Sequence, residues 1–348
     1  LKDLKSDEGL SMKVAVDAMG GDFGPRVTVE GALKASREYK IEALLVGLED
    51  LIKKEFDRLD HSKTKITIIN AAEAIGMGEG MLSIRRKKRS SIRVGAELVK
   101  KGEAEAFVST GNTGAVVYIS KKILGALKGV EKPALSLLVP SLTGLTLLID
   151  VGANVNCRPH HLEQFGLMGH IFMESVLGLK NPRVGLMSVG EEDSKGNELT
   201  KEVFERLQSS SLNFIGNIEG KDIYSGKADI IVSDGFTGNV ALKVSEGVVE
   251  TFFYMARTEL MKNFFSKIGL FLMKRNLKKI YKKIDYAEYG GAPLLGINGV
   301  CIIGHGRSNP NAVKNAVGLA RDFVQNKVQE KIQYGIANIS QAIGKAGV

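Results

Sequence analysis

Tryptophan is absent from this 348-residue sequence, cysteine occurs twice, and aromatic residues make up only 6% of it. Two cysteines, Cys157 and Cys301, cannot build a disulfide framework. Such usage fits a reducing compartment. Neither cysteine stands at metal-ligand spacing with an acid or with His61, His160, His161, His170 or His305, so no metal is expected, and the His160-His161 pair at a helix start reads as a surface feature. With so few aromatics the bases of nucleic acid would find little to stack on, and no nucleic-acid motif is present. Long apolar runs are missing too. The longest uncharged stretch, Ala134 to Ile149, is split by Pro140 and Gly144 and reads as a buried hairpin rather than a span. Leu1 to Ser11 lacks the apolar centre of a signal peptide, and Met12 directly precedes a strand pattern. Residues 1–11 are therefore expected to be a leader or a remnant of cloning. No Gly-x-Gly-x-x-Gly joins the first strand to the first helix, which demotes hydride transfer to a runner-up, and no Gly-Lys-Ser/Thr points to an NTPase.

What the chain has is charge of one sign and glycine. The net charge of +9 calls for anionic partners, and it is concentrated in Arg85-Arg-Lys-Lys-Arg89 and in residues 261–284, which hold eight basic residues and no acid. Short apolar runs alternate with helical patterns at the spacing of βαβ units, which predicts an α/β fold on a mostly parallel sheet. Strands are expected at Val14–Val16, Ala43–Gly47, Ile66–Ile69, Ala106–Ser109, Val184–Val189, Phe214–Gly216, Ile230–Val232 and Val300–Ile303. Helices are expected from Pro25 to about Tyr39, Asp50 to Leu59, Leu82 to Lys101, near Pro159, from about Leu199 to Leu207, from near Asn239, and after Asn309 to about Ile343. The whole of 12–348 reads as one catalytic unit of two intimately joined lobes, with a helical hairpin over 239–284.

The strand ends carry the chemistry. Asp17, Gly20, Gly21 and Asp22 follow the first strand; Ser109, Gly111, Asn112, Thr113 and Gly114 follow a later one. Asp150 to Asn154, Lys195 to Asn197, and Asp234, Gly235, Thr237 and Gly238 occupy three further ends, and His305 stands in Gly-His-Gly-Arg before the last helix. Glycine-rich junctions of this kind deliver backbone N–H groups and a helix N-terminus to one spot, a cradle for phosphate. Turn-forming composition alone explains the same residues less well. Phosphate brings its own nucleophilic oxygen, so attack on an acyl carbon needs only a cation to hold it and a donor for the carbonyl oxygen. Lys195 suits the first role, or is a solvated lysine beside Glu192 and Asp193. Asn239 suits the second. Cys157 is read as an incidental thiol.

The segments Ala15-Val-Asp-Ala-Met-Gly-Gly-Asp22, Arg85-Arg-Lys-Lys-Arg-Ser-Ser91, Ser109-Thr-Gly-Asn-Thr-Gly-Ala115, Asp150-Val-Gly-Ala-Asn154, Gly196-Asn-Glu-Leu-Thr-Lys201, Ser233-Asp-Gly-Phe-Thr-Gly-Asn-Val240 and Tyr289-Gly-Gly-Ala292 together resemble the PlsX family of bacterial phosphate acyltransferases. The resemblance covers Met12 to about Gln329. It implies a three-layer α/β/α fold of the isocitrate and isopropylmalate dehydrogenase type, shared with phosphotransacetylases, in a homodimer without cofactor. It further implies conversion of acyl-acyl-carrier protein and inorganic phosphate into acyl phosphate on the route to phosphatidic acid, and a membrane-bound glycerol-3-phosphate acyltransferase as the next enzyme. Its catalytic lysine and asparagine match Lys195 and Asn239. On that footing Arg85, Arg86, Lys87, Lys88, Arg89 and Arg93 are expected to dock acidic carrier protein, unless they form a merely solvated face.

In the hairpin, Val240, Val244, Val248, Phe252 and Ala256 recur every fourth residue as a buried stripe would. At the tip, Phe264, Phe265, Ile268, Phe271 and Leu272 gather with one lysine among them. Beyond it Lys274, Arg275, Lys278, Lys279, Lys282 and Lys283 face away from Met273, Leu277, Ile280, Tyr281 and Ile284. Such an element is expected to touch the inner, anionic face of the membrane from the cytoplasm, or to be buried across a dimer.

Overall fold

The computed structural model of the chain describes residues 12–284 and 286–346, with side chains at 12–278 and 288–338. The expectation for residues 1–11 lies outside these, as do those for the side chains of Lys279 to Ile284. The chain divides into two compact units: the first runs to Gly125 and resumes over Ile297–Lys327, and the second takes Ala126–Gly296 and resumes at Val328.

In the first unit β1 (Lys13–Asp17), α1 (Pro25–Tyr39), β2 (Glu42–Gly47), α2 (Glu49–Phe56) and β3 (Lys65–Asn70) lead to two short helices, α3 (Met81–Arg86) and α4 (Ser91–Lys100), then β4 (Ala106–Ser109) and α5 (Thr113–Leu124). The single helix expected over 82–101 is broken. Ser91 N–H donates to Glu73 O at 3.0 Å and Arg89 N–H to the Glu73 carboxylate at 2.8 Å, so a distant segment claims the backbone where helix would have continued.

In the second unit β5 (Ala134–Ser141) and β6 (Gly144–Ile149) form the anticipated hairpin, followed by α6 (Pro159–Leu177), β7 (Arg183–Met187), α7 (Glu198–Gln208), β8 (Asn213–Ile218), β9 (Ile230–Val232), α8 (Gly235–Leu260) and α9 (Phe264–Ile284). A short strand not foreseen, β10 (Ala292–Leu295), closes this passage before the chain returns to the first unit with β11 (Val300–Ile303) and α10 (Pro310–Gln325). The last helix, α11 (Val328–Ala346), belongs to the second unit. The one helix expected after Asn309 is thus two, parted at Lys327, whose φ of 51° no α-helix accommodates.

The first unit's strands lie in the order β3-β2-β1-β4-β11, every pair parallel. The helix pairs α1–α10 and α4–α5 each pack together and each contact the sheet. Gly31 permits the first pairing, because a Cβ there would lie 2.5 Å from Val313 Cβ. In the second unit the order is β10-β5-β6-β9-β7-β8, with β10–β5 and β5–β6 antiparallel and the rest parallel. Phe165 and Phe172 of α6 are fully buried. Each such ring contributes roughly 2–3 kcal/mol.

The stripe Val240, Val244, Val248 and Phe252, expected to be buried, is exposed on α8 in the single chain. At the tip Phe265 is 84% and Phe271 74% exposed. Among the described residues no helix is long and apolar enough to cross a membrane.

Candidate active site

Strands β6, β9 and β7 are parallel neighbours in register, Ile149 beside Val232 and Val232 beside Leu186, so the loops that leave them rise from one edge of the second unit's sheet. The first of these loops is organised by Asp150, which is fully buried. Its Oδ1 accepts N–H groups from Leu135 at 3.1 Å, Gly152 at 3.0 Å and Ala153 at 2.9 Å, and its Oδ2 accepts from Asn154 Nδ2 at 2.7 Å. Burial raises the Asp150 pKa above the ordinary carboxylate value against the pull of these four hydrogen bonds. The Asn154 amide also donates to Pro133 O at 2.8 Å, so Asn154 shapes the loop and has no N–H left for substrate.

The reading of α8 as an open anion cradle does not survive. Gly235 N–H donates to Asn154 O at 2.8 Å, Phe236 and Thr237 N–H both to Asp234 Oδ1 at 2.9 Å, and Gly238 N–H to Asp234 O at 2.9 Å. The last of these is the helix's first regular bond, the three N–H groups before it are taken by the loop and the cap, and Asp234 already supplies the negative charge that the helix dipole favours. The helix also starts at Gly235, four residues before the expected Asn239. Gly235 and Gly238 are contact residues, not loop breakers: a Cβ on Gly235 would come within 2.7 Å of Asn154 O and one on Gly238 within 2.0 Å of Asp150 O. Ser233 Oγ adds a hydrogen bond to Asp150 O at 3.1 Å. The start of α8 is thereby clamped to the 150–154 loop.

Asn239 stands one turn further on, exposed, with its Cγ 3.6 Å from where a Cβ on Gly152 would be. Its amide has no hydrogen-bond partner among the described residues. Lys195, on the loop after β7, is likewise exposed and its ammonium pairs with no acid among them. Neighbouring charges are engaged elsewhere: Lys227 and Lys221 reach Glu191 at 2.9 and 3.5 Å. Asn197 caps α7, accepting Thr200 N–H at 2.9 Å, and the N–H groups of Glu198 and Leu199 have no partner among the described residues.

The first unit carries its own cluster. Asp17, buried at the end of β1, accepts from Ser109 Oγ at 2.7 Å and Met19 N–H at 3.1 Å, and Gly111 N–H donates to Ser109 Oγ at 3.1 Å. Burial raises the Asp17 pKa despite these bonds. Gly20 must be glycine, since a Cβ would lie 2.7 Å from Gly111 N. Gly21 and Asp22 meet the His305 loop, where Asp22 N–H donates to Gly306 O at 2.8 Å. His305 Nδ1 accepts Arg307 N–H at 3.2 Å. Asn112 is committed to structure, capping α5 through Ala115 N–H at 3.0 Å and donating to Met77 O at 2.8 Å. The N–H groups of Thr113 and Gly114 have no partner among the described residues.

Two further expectations change. Lys87 bonds to Glu79 and to Ala74 O, and Arg93 is half-buried, so the freely exposed part of the basic segment is Arg85, Arg86, Lys88 and Arg89, with Arg85 stacked 5.5 Å over the Tyr118 ring. His161 is buried, not a surface feature. Glu131 accepts from His160 Nε2 at 2.8 Å and His161 Nε2 at 2.9 Å, a trio within metal-ligand reach. Yet His161 Nδ1 accepts Arg158 N–H at 2.9 Å, which puts the proton on Nε2 and makes the trio a brace for the start of α6. Cys157 is pushed up to about 11 by burial, which disfavours a nucleophilic thiolate.

Comparison with known proteins gives a consistent result. The family model described as fatty acid synthesis protein matches residues 12–331. Phosphate acyltransferase from Alkaliphilus oremlandii is 46% identical over 329 residues, covering 94% of this chain and 98% of the relative. Phosphate acyltransferase from Geobacter sulfurreducens is 48% identical over 322 residues, covering 92% and 93%. Among solved structures, a phosphotransacetylase from Streptococcus pyogenes superposes with a TM-score of 0.61 at 17% identity over 92% of this chain and 94% of that one. The EutD phosphotransacetylase from Staphylococcus aureus gives 0.57 at 13% identity, over 90% and 94%. At such identities the structures speak for the fold alone, and they agree with the fold that the motifs implied. With nearly the whole chain aligned at close to half identity and its strand-end loops built as described, this chain belongs to the fatty acid synthesis protein family, the PlsX phosphate acyltransferases.

Proposed function

We propose that the acyl donor is the thioester of acyl-carrier protein and that the acyl phosphate formed enters phosphatidic acid synthesis. The observation that carries the assignment of roles is the pair of unengaged side chains, Lys195 and Asn239, among loops whose other polar groups are largely committed to one another. Lys195 holds phosphate with the open N–H groups of Glu198 and Leu199. The Asn239 amide donates to the thioester carbonyl oxygen as charge develops there. An oxygen of monohydrogen phosphate attacks the carbonyl carbon, the C–S bond breaks, and the carrier's sulfur leaves as thiol with the proton that the phosphate gives up. No cofactor enters this balance.

Arg86, Lys88 and Arg89 form the docking patch for the acidic carrier. The direct test follows thioester consumption with and without phosphate, in the native chain and in an Arg86→Glu, Lys88→Glu variant. Consumption should require phosphate, and the variant should raise KM for the carrier several-fold and flatten its salt dependence. Phosphate-independent binding without turnover would replace the enzyme reading with that of an adaptor, and unchanged carrier kinetics would leave the patch a solvated face.

The exposed stripe of α8 fits a second copy of this chain, giving a homodimer. The tip of α9 fits the inner face of the membrane, where apolar insertion and basic attraction reinforce each other by about 1 kcal/mol per lysine or arginine. A poorly soluble acyl product would then be released beside a membrane-bound glycerol-3-phosphate acyltransferase. Replacing Phe265 and Phe271 with serine should abolish sedimentation with anionic vesicles while dimerisation and turnover of soluble substrate persist. Retained vesicle binding, or dissociation to monomers, would assign the tip to the dimer instead.

A further inference from the structure

The basic segment begins on α3, and the first two residues of that helix are apolar and exposed, Met81 by 42% and Leu82 by 72%. At about 100° of turn per residue, Met81, Arg85, Leu82 and Arg86 follow one another around a single arc of roughly 140°. Ser83 and Ile84 fall on the remainder, and these two hold the helix down. Ile84 is 2% exposed, and Ser83 Oγ donates to the Glu79 carboxylate, which also accepts from the Lys87 ammonium. Lys87 Nζ in addition donates to Ala74 O at 2.6 Å.

Six residues do not sustain a helix in water unaided, so these anchors keep α3 ordered, with its apolar and basic side chains turned outward. The mount is continuous with the strand-end loops of the first unit. Asn112 Nδ2, at the start of α5, donates to Met77 O at 2.8 Å and to Glu79 O at 3.4 Å. A Cβ on Gly306 would lie 2.5 Å from Met77 Cε. Helix α3 therefore stands at the rim of the cluster formed by Asp17, Ser109 and the His305 loop.

A lone exposed leucine means little. Here two neighbouring apolar side chains alternate around the axis with two guanidinium groups, one of them held 5.5 Å over the Tyr118 ring. A helix that lies on a membrane separates its apolar face from its charged one, which this arc does not. A two-fold contact with a second copy would bring two basic segments together. The chemistry that fits is a protein surface on which carboxylates and apolar side chains lie side by side.

We propose that Met81 and Leu82 are the apolar anchor of a dock for the acidic acyl-carrier protein, settling between its carboxylates against apolar side chains while Arg86, Lys88 and Arg89 steer the approach. This rests on the reading of the carrier as acyl donor. The basic residues govern the encounter rate and its salt dependence, and the apolar pair governs how long the carrier stays.

Surface plasmon resonance on immobilised holo-carrier protein at two salt concentrations separates the two parts. A Met81→Ser, Leu82→Ser variant should bind about tenfold to a hundredfold more weakly, through faster dissociation, with its salt dependence intact. Arg86→Glu should instead slow association and flatten the salt dependence. Leu82→Met alone should stay within a few-fold of native. All three should keep the native thermal midpoint, because the side chains are exposed. Dissociation of a folded double-serine variant as slow as that of the native protein overturns the proposal. So does loss of sedimentation with anionic vesicles in that variant while carrier binding persists, which assigns the arc to the membrane. The underlying reading fails differently: a native protein that neither binds the carrier nor consumes its thioester removes the carrier as donor, and the dock with it.

Discussion

Replacing Lys195 with alanine is expected to lower kcat/KM for phosphate about a hundredfold to a thousandfold, the loss typical of removing one preorganised charge from a transition state. Its ammonium bonds to no acid among the described residues, so nothing in the folded state depends on it. The thermal midpoint should therefore hardly move, because exposed substitutions free of such partners stay within about 0.5 kcal/mol. Arginine at this position should rescue only partly, since a planar fork does not reproduce a point charge on a flexible stem. Steady-state rates at varied phosphate, with a melt of each variant, are the measurement. Near-normal formation of acyl phosphate by a folded Lys195→Ala protein would sink the role.

Asn239→Ala should separate binding from chemistry. If its amide meets the carbonyl oxygen only as charge develops, kcat should fall about a hundredfold to a thousandfold while KM for phosphate stays close to native. Stability should rise slightly, because alanine in a helix interior outranks asparagine by about half a kcal/mol. A protein that is marginally more stable and nearly inactive is hard to explain by damage to the fold. Asn239→Asp sharpens the comparison by placing an acceptor where a donor is needed. An equal loss in kcat and a large rise in KM for phosphate would move Asn239 from the carbonyl to the phosphate.

The sequence carried the strand-and-helix alternation, the 134–149 hairpin and the edge from which the loops rise, because these follow from local periodicity and turn chemistry. It did not carry what depends on distant partners. Gly235 and Gly238 looked like loop residues since glycine breaks helices locally. Their actual reason is the backbone of Asn154 and Asp150, far away in sequence, and so the helix began earlier than its pattern suggested. The break between α3 and α4 has the same origin in Glu73. Lys195 could be read as a phosphate holder or as a solvated lysine beside Glu192 and Asp193, and its ammonium pairs with no acid among the described residues.

The order in which the chain visits its two units bears on how it is made. The first unit lacks β11 and α10 until Ile297–Lys327 has been synthesised, and the second lacks α11, which packs on α6, until the segment from Val328 has followed. Domains ordinarily fold from the N-terminal end as they leave the ribosome. Here β3-β2-β1-β4 must wait beside an unpaired edge at β4 while the whole second unit emerges. Nascent chains of this protein thus pass through a long stage in which neither unit is complete.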